Sequence, residues 1–212
     1  MSPATREPIS WLIVSALERL CALLLVLTLS PFLFMIAAVI AVLSKRSPLI
    51  AHRRLARGGN LFWVLKFRTM WPRQAPSTVH FAVVEHIVDE SGPGDKDARD
   101  PRISSRFARF CRRHSIDELP QLIHVVLGEM ALVGPRPITL SECRLHYRSD
   151  AAEVLGVKPG LSGLWQIMGR SRLTYEQRRS LDLALVRNRS LKLYFRILLL
   201  TLPEIWNGRN AW

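Results

Sequence analysis

The chain has 212 residues, enough for one hydrophobic core and too few for several large domains. Its 30 Lys and Arg against 17 Asp and Glu give a formal net charge of +13, a balance that attracts nucleic acid, an anionic lipid surface or a phosphorylated substrate. Three cysteines without paired spacing, Cys21, Cys111 and Cys143, argue against a disulfide scaffold and fit a reducing cytoplasm, and the histidines show no metal-ligand spacing.

The first segment, Ile9 to Leu43, is apolar with few charges, and its cleanest part, Leu20 to Leu43, is long enough to cross a bilayer as one helix. The run is too long for a cleaved signal peptide. Ser30-Pro31 lies near its middle. Proline removes a backbone donor and clashes with the preceding turn, so a kink is expected there, leaving halves of about 15 Å, roughly half a bilayer each. Composition alone favours a kinked spanning helix over two half-length arms. Lys45, Arg46, His52, Arg53, Arg54 and Arg57 follow the run. Such a basic flank marks the cytoplasmic side, and its place beside a membrane segment favours lipid and phosphate over nucleic acid as partners. The chain therefore divides into a membrane-embedded part, 1–45, and a globular part, 46–212.

Leu61 to Met70 reads as a strand rich in aromatic and branched residues, with Lys66 and Arg68 on one face and Pro72 closing it. Gln74 to Arg99 reads as a loop-rich insertion around one short apolar piece, Phe81 to Val88. Ser104 to Arg113 is expected as a helix with Phe107, Phe110 and Cys111 as its apolar stripe and arginines around it; it suits a membrane interface and a core-packed helix equally. Leu119 to Leu127 reads as helix, Gly134 to Pro137 as a rigid turn, Ser141 to Leu155 as moderately helical, Val157 to Gly163 as a loop and Tyr175 to Asn188 as helix. Ser190 to Leu202 is apolar but too short to span; with Lys192, Arg196, Trp206 and Trp212 it reads as an interfacial helix or one packed on the domain.

Asp117-Glu118 is the acidic pair with the most chemical promise. A carboxylate can attack phosphorus to form an acyl phosphate, and a second can hold a divalent cation, usually magnesium, which binds few protein carboxylates and several phosphate oxygens. The bland alternative is a capping box, since Ser115 stands three residues before Glu118. Pro120 counts against it, because a proline so near removes a backbone hydrogen bond and puts the acids at a helix junction. Lys66, Arg68, Arg102, Arg112 and Arg136 supply cations suited to phosphate oxygens. There is no Walker-type loop and no dinucleotide fingerprint, which argues against a soluble kinase or a Rossmann nucleotide site.

The strings KFRTM (Lys66 to Met70), DPRIS (Asp100 to Ser104), SIDELPQL (Ser115 to Leu122), GEMALVGPRP (Gly128 to Pro137) and VKPGLSGLWQ (Val157 to Gln166) occur in this order. Together they resemble the bacterial sugar transferases, the monotopic phosphoglycosyl transferases that start glycan assembly on undecaprenyl phosphate. The resemblance implies an α+β, mainly helical chain with a re-entrant membrane helix hairpin broken at Ser30-Pro31, a small cytoplasmic domain and interfacial amphipathic helices. It implies the cytoplasmic face of the bacterial inner membrane. It implies Asp117 as nucleophile, Glu118 as magnesium ligand, and Lys66, Arg68, Arg112 and Pro135-Arg136-Pro137 as phosphate-holding residues. The implied partners are a nucleotide diphosphate-sugar, most simply a UDP-sugar, undecaprenyl phosphate and membrane lipid, without nucleic acid; a homodimer is allowed.

The chain departs from the family pattern at three places. Ala56 stands where glycine is frequent, Asp182 is followed by Leu183, Ala184 and Leu185 where paired aromatics are usual, and Tyr194 occupies a later acidic position. These bear on donor preference and leave Asp117-Glu118 intact. Two rival readings remain at this stage: a non-enzymatic binder of anionic lipid or nucleic acid, and a scaffold subunit without catalysis.

Overall fold

The structure is a computed structural model that describes residues 8–71, 82–87, 105–169 and 173–207. It opens with one 36-residue helix, α1 (Ile9–Ser44), ended by Lys45 in the left-handed region, whose N–H reaches Ala41 O. By length and composition α1 can cross a membrane. Ala22, Ile36 and Ile40 are buried against the rest of the chain, while Leu12, Leu20, Leu24, Leu27 and Phe34 are exposed, a continuous apolar face of the kind that water does not tolerate for long.

Helix α1 does not divide at Ser30-Pro31; Pro31 lies inside it. The local reason is visible. Proline has no N–H to give Leu27 O, four residues back, and the Ser30 hydroxyl donates to that carbonyl at 2.8 Å.

The same domain holds both ends of α1. Near the start, the Trp11 ring meets Tyr194 edge-on at 6.1 Å, Lys158 Nζ donates to Ser15 Oγ at 3.2 Å, and Arg19 reaches Leu127 O. Glu18 Oε1 accepts from Leu132 N–H at 2.7 Å and from the Tyr194 hydroxyl at 2.8 Å. Further along, Ala22 packs with Phe62, Val64, Leu122, Val125 and Met130, and Ile36 and Ile40 pack with Phe67, Trp71 and Ala108. Burying Ile36 and Ile40 stabilises by about 1.5–3 kcal/mol each, so α1 is an integral wall of the domain.

A three-stranded sheet follows: β1 (Leu49–Leu55), β2 (Leu61–Phe67) and β3 (Val84–Ile87) in the order β2-β1-β3. β1 and β2 are antiparallel from Leu49↔Phe67 to Leu55↔Leu61, and β3 runs parallel to β1. Strand β1 corrects the expectation of a plain basic flank over His52–Arg57. Ala51 and Leu55 are buried, and the basic residues between them obscured the alternation. Gly58 and Gly59, both with positive φ (77° and 81°), turn the hairpin. Ala56 is extended (φ −89°, ψ −177°), a conformation open to any residue, so alanine fits where the family often has glycine.

The second half is mainly helical: α2 (Arg106–Arg113), a 3-10 turn (Ile116–Gln121), α3 (Leu122–Leu127), β4 (Ala131–Val133), α4 (Leu140–Glu142) with irregular helical turns to Asp150, α5 (Ala151–Val154), β5 (Gly160–Ser162), α6 (Leu164–Met168), α7 (Tyr175–Arg187) and α8 (Leu191–Asn207). The expected loop at Val157–Gly163 contains β5, parallel to β4 through Ala131↔Gly160 and Val133↔Ser162. Its glycines let the two segments touch: a Cβ on Gly134 would meet Lys158 O at 2.5 Å, and one on Gly160 would collide with Gly134 N. The apolar stripe of α2 also differs from expectation. Ala108 and Cys111 are buried, whereas Phe110 is 51% exposed and leans on His114. Helix α8 packs through Tyr194 and Ile197 and leaves Phe195, Leu199, Leu202 and Trp206 exposed.

Candidate active site

Asp117 and Glu118 sit on the 3-10 turn between α2 and α3. The capping-box alternative fails. Ser115 has φ 55° and makes no side-chain cap hydrogen bond; its carbonyl accepts from Glu118 N–H at 3.1 Å. A non-glycine residue in that region stores strain of the sort found at functional sites. With three residues per turn, consecutive side chains diverge by about 120°, so the two carboxylates face different neighbours.

Glu118 Oε1 accepts from Lys66 Nζ of β2 at 2.7 Å. Arg112, at the end of α2, reaches Thr69 Oγ1 at 3.5 Å, and its Nε is buried with no partner among the described residues. Burial and the adjacent Glu118 carboxylate push the Asp117 carboxyl up to about 6, while Lys66 and Arg112 draw it down. Cys111, buried on α2, is raised to about 11 by burial and by the charge of Asp117, which leaves it an inert thiol. Ile116, the residue before Asp117, packs on the cluster made by Ile36 and Ile40 of α1 with Phe67 and Trp71. The turn that carries the acidic pair is therefore anchored, through Ile116, on the C-terminal half of the apolar helix.

The structure brings Lys66, Arg112, Asp117 and Glu118 together. Arg68 turns elsewhere: it is buried, donates to Ser47 O at 2.7 Å and pairs with Glu85 of β3 at 2.5 Å. Its pKa is lowered by burial, against Glu85, which supports the charge. Arg102 lies outside the described residues.

Pro135-Arg136-Pro137 forms the turn after β4 and belongs to a second cluster. Arg136 N–H donates to Asp182 Oδ1 at 3.2 Å, and its guanidinium lies 4.8 Å from the Trp165 ring centre. Arg178 stands over the same ring at 5.9 Å and over Tyr175 at 5.4 Å. The Nε atoms of both arginines and Trp165 Nε1 are buried with no partners among the described residues. Asp182 also accepts from the Tyr147 hydroxyl at 2.7 Å, and burial pushes its carboxyl up to about 7 against those two hydrogen bonds.

Thr69, Tyr147, Trp165, Arg178 and Asp182 were not singled out as site residues from the sequence. For Trp165 the VKPGLSGLWQ string was the available signal; for Asp182 it was the family position. Thr69 and Tyr147 carry none, because only the fold brings them to Arg112 and Asp182.

The sequence pattern of the family described as "Bacterial sugar transferase" matches residues 9–208, nearly the whole chain. The chain belongs to the bacterial sugar transferase family. As a bacterial sugar transferase it is 34% identical over 207 residues to the exopolysaccharide production protein ExoY of Rhizobium meliloti (strain 1021), covering 97% of this chain and 91% of that protein. It is also 36% identical over 173 residues to the undecaprenyl-phosphate galactose phosphotransferase of Salmonella typhimurium, covering 81% of this chain and 36% of that longer protein. A UDP-glucose:undecaprenyl-phosphate glucose-1-phosphate transferase of Xanthomonas campestris is 31% identical over 205 residues, 92% of this chain and 39% of that one. These similarities make the chain a transferase and set aside the reading as a mere lipid or nucleic-acid binder.

Proposed function

We propose that this sugar transferase moves a phospho-sugar from a nucleotide diphosphate-sugar, most simply a UDP-sugar, to undecaprenyl phosphate. The observation that carries the reading is the placement of Asp117-Glu118: flanked by Lys66 and Arg112, on a turn whose Ile116 packs on the apolar helix α1. A charged donor and a lipid-borne acceptor have to meet at such a place.

In the first step an Asp117 carboxylate oxygen bonds to the sugar-bearing phosphorus. The diphosphate bridge P–O bond breaks, and a nucleoside monophosphate leaves with its electron pair. In the second step the terminal oxygen of undecaprenyl phosphate attacks the same phosphorus, the aspartyl bond breaks, and Asp117 regains its carboxylate. Arg112, whose Nε has no partner among the described residues, is suited to donate to a phosphate oxygen.

Magnesium fits the residues present. Glu118 offers a 30% exposed carboxylate beside Asp117, and magnesium binds few protein carboxylates and several phosphate oxygens. Such an ion would neutralise the diphosphate. Glu118 would have to release Lys66, whose amine then becomes available to the donor's phosphates.

Purified protein incubated with a panel of nucleotide sugars, magnesium and polyprenyl phosphate is expected to release nucleoside monophosphate with at least one donor. No release across the panel would sink the reading.

The chain is proposed to sit on the cytoplasmic face of the inner membrane with α1 entering and leaving by that face. A spanning helix needs about 20 residues clear of the domain. Here domain contacts recur at Trp11, Ser15, Glu18, Ala22, Ile36 and Ile40. In an Ile9→Cys variant lacking the three native cysteines, a membrane-impermeant thiol reagent added outside spheroplasts is expected to leave the new thiol unlabelled. Labelling from the outside would establish a span.

A further inference from the structure

We infer that His124 is a positioning residue: its imidazole fastens the free edge of β2, which carries Lys66, to the helix that continues from Asp117-Glu118. This inference rests on the reading of those acids as the reacting pair.

Among the described residues β2 is an edge strand, paired with β1 alone. Edge strands present unpaired N–H groups, and a buried one costs about 1–3 kcal/mol unless something accepts from it. Leu65, the neighbour of Lys66, gives its N–H to His124 Nε2 at 3.1 Å. Accepting there requires a lone pair on Nε2, which assigns the ring proton to Nδ1. Nδ1 then donates to Glu129 Oε2 at 2.7 Å. The chain returns Glu129 to that place because His124 O accepts N–H groups from both Glu129 and Met130 beyond the turn at Gly128. The ring is 5% exposed and meets Phe62 edge-on at 5.6 Å.

One side chain thus links three elements: α3, the returning turn and the strand edge. The direct Lys66–Glu118 pair cannot hold that spacing by itself. Both side chains are about 30% exposed (29% and 30%), and exposed pairs contribute about 0–1 kcal/mol. The buried imidazole is the stiffer link.

The test uses the full chain in detergent or membranes with two substitutions. His124→Leu fills the volume and offers no acceptor. His124→Gln keeps an oxygen near the position of Nε2. Three quantities are read: hydrogen exchange at the Leu65 amide, kcat, and KM for the donor. The wild-type amide is expected to be protected. His124→Leu is expected to lose that protection and to lower kcat by about 10–100-fold, the scale for a displacement of about 1 Å in a reacting pair, while KM moves far less. His124→Gln is expected to restore both protection and kcat. A His124→Leu enzyme with an unprotected Leu65 amide and normal kcat overturns the inference, as does a His124→Gln enzyme as slow as His124→Leu. If His124→Leu does not fold, His124→Gln carries the test: normal kcat with an unprotected Leu65 amide is then the overturning result. Amide exchange reads the contact without any substrate, so failure of the proposed reaction would show separately, as absent turnover in the wild type.

Discussion

Asp117→Asn is expected to abolish turnover, by about 10³-fold or more, the scale seen when a covalent nucleophile is removed. It is also expected to abolish protein labelling by a donor carrying radioactive phosphorus next to the sugar. The amide is nearly isosteric but cannot form an acyl phosphate that polyprenyl phosphate would resolve. The same change is expected to raise the melting temperature of the metal-free protein. In the folded chain, burial and Glu118 hold the Asp117 carboxyl at about 6, above its ordinary range near 3.9. A raised carboxyl means that the native state binds more protons than the unfolded state between those values, so stability falls as pH rises through them. At neutral pH the ionised Asp117 therefore works against the fold, and Asn removes that cost. In a chain of this size, each 1 kcal/mol of relief raises the melting temperature by about 2–4 °C. The gap between variant and wild type should shrink as pH falls through 6 toward 4. An inactive Asp117→Asn protein that melts lower than wild type at neutral pH would point to damage of the fold, and normal turnover would remove Asp117 from the reaction.

Most elements were legible because their signals are local. The 36 residues of α1 declare themselves by a long apolar run with few charges, and β2 by its branched and aromatic content. β1 was not, because its arginines satisfied a membrane-flank pattern that competes with a period of two. β5 was not, because three residues bounded by glycines carry too little periodicity, and its pairing to β4 is set by 26 intervening residues, 134–159.

The site divides in the same way. Asp117, Glu118, Lys66 and Arg112 were found as residue types at suggestive places, and the fold brings them into one group. Arg68 shares a strand face with Lys66 in an ideal pleat, but it stands one residue past the end of β2 at Phe67, where its guanidinium follows Ser47 O and Glu85 instead. The departure at position 194 also gains a physical meaning. Tyr194 has no acid to offer, but its hydroxyl meets a carboxylate supplied by α1, Glu18. The departure therefore bears on how α1 is held to the domain, at some distance along the helix from Asp117.

Chelation of divalent cations is expected to stop turnover in the wild type, and Glu118→Gln is expected to raise the magnesium concentration for half-maximal rate by about 10–100-fold, or to leave too little activity to measure. The expectation follows from the charges at hand. Around Asp117 stand two described cations, Lys66 and Arg112, and one of them is already paired with Glu118. That leaves little to offset a nucleotide diphosphate approaching an ionised nucleophile. Neutralising Glu118 removes a carboxylate beside Asp117 that can take an oxygen-seeking ion without consuming the nucleophile. Stability separates this role from a structural one. The Lys66–Glu118 pair is about 30% exposed on each side (29% and 30%), so its loss should change unfolding free energy by about 1 kcal/mol or less. Removing the Glu118 charge should also lower the Asp117 carboxyl toward its ordinary range, since Glu118 is one of the two influences that raise it. The variant is therefore expected to fold normally and hold Asp117 ionised to lower pH, yet turn over slowly until magnesium is raised. Full activity of the wild type in excess chelator, or a Glu118→Gln enzyme with unchanged magnesium dependence, would take Glu118 out of the metal site.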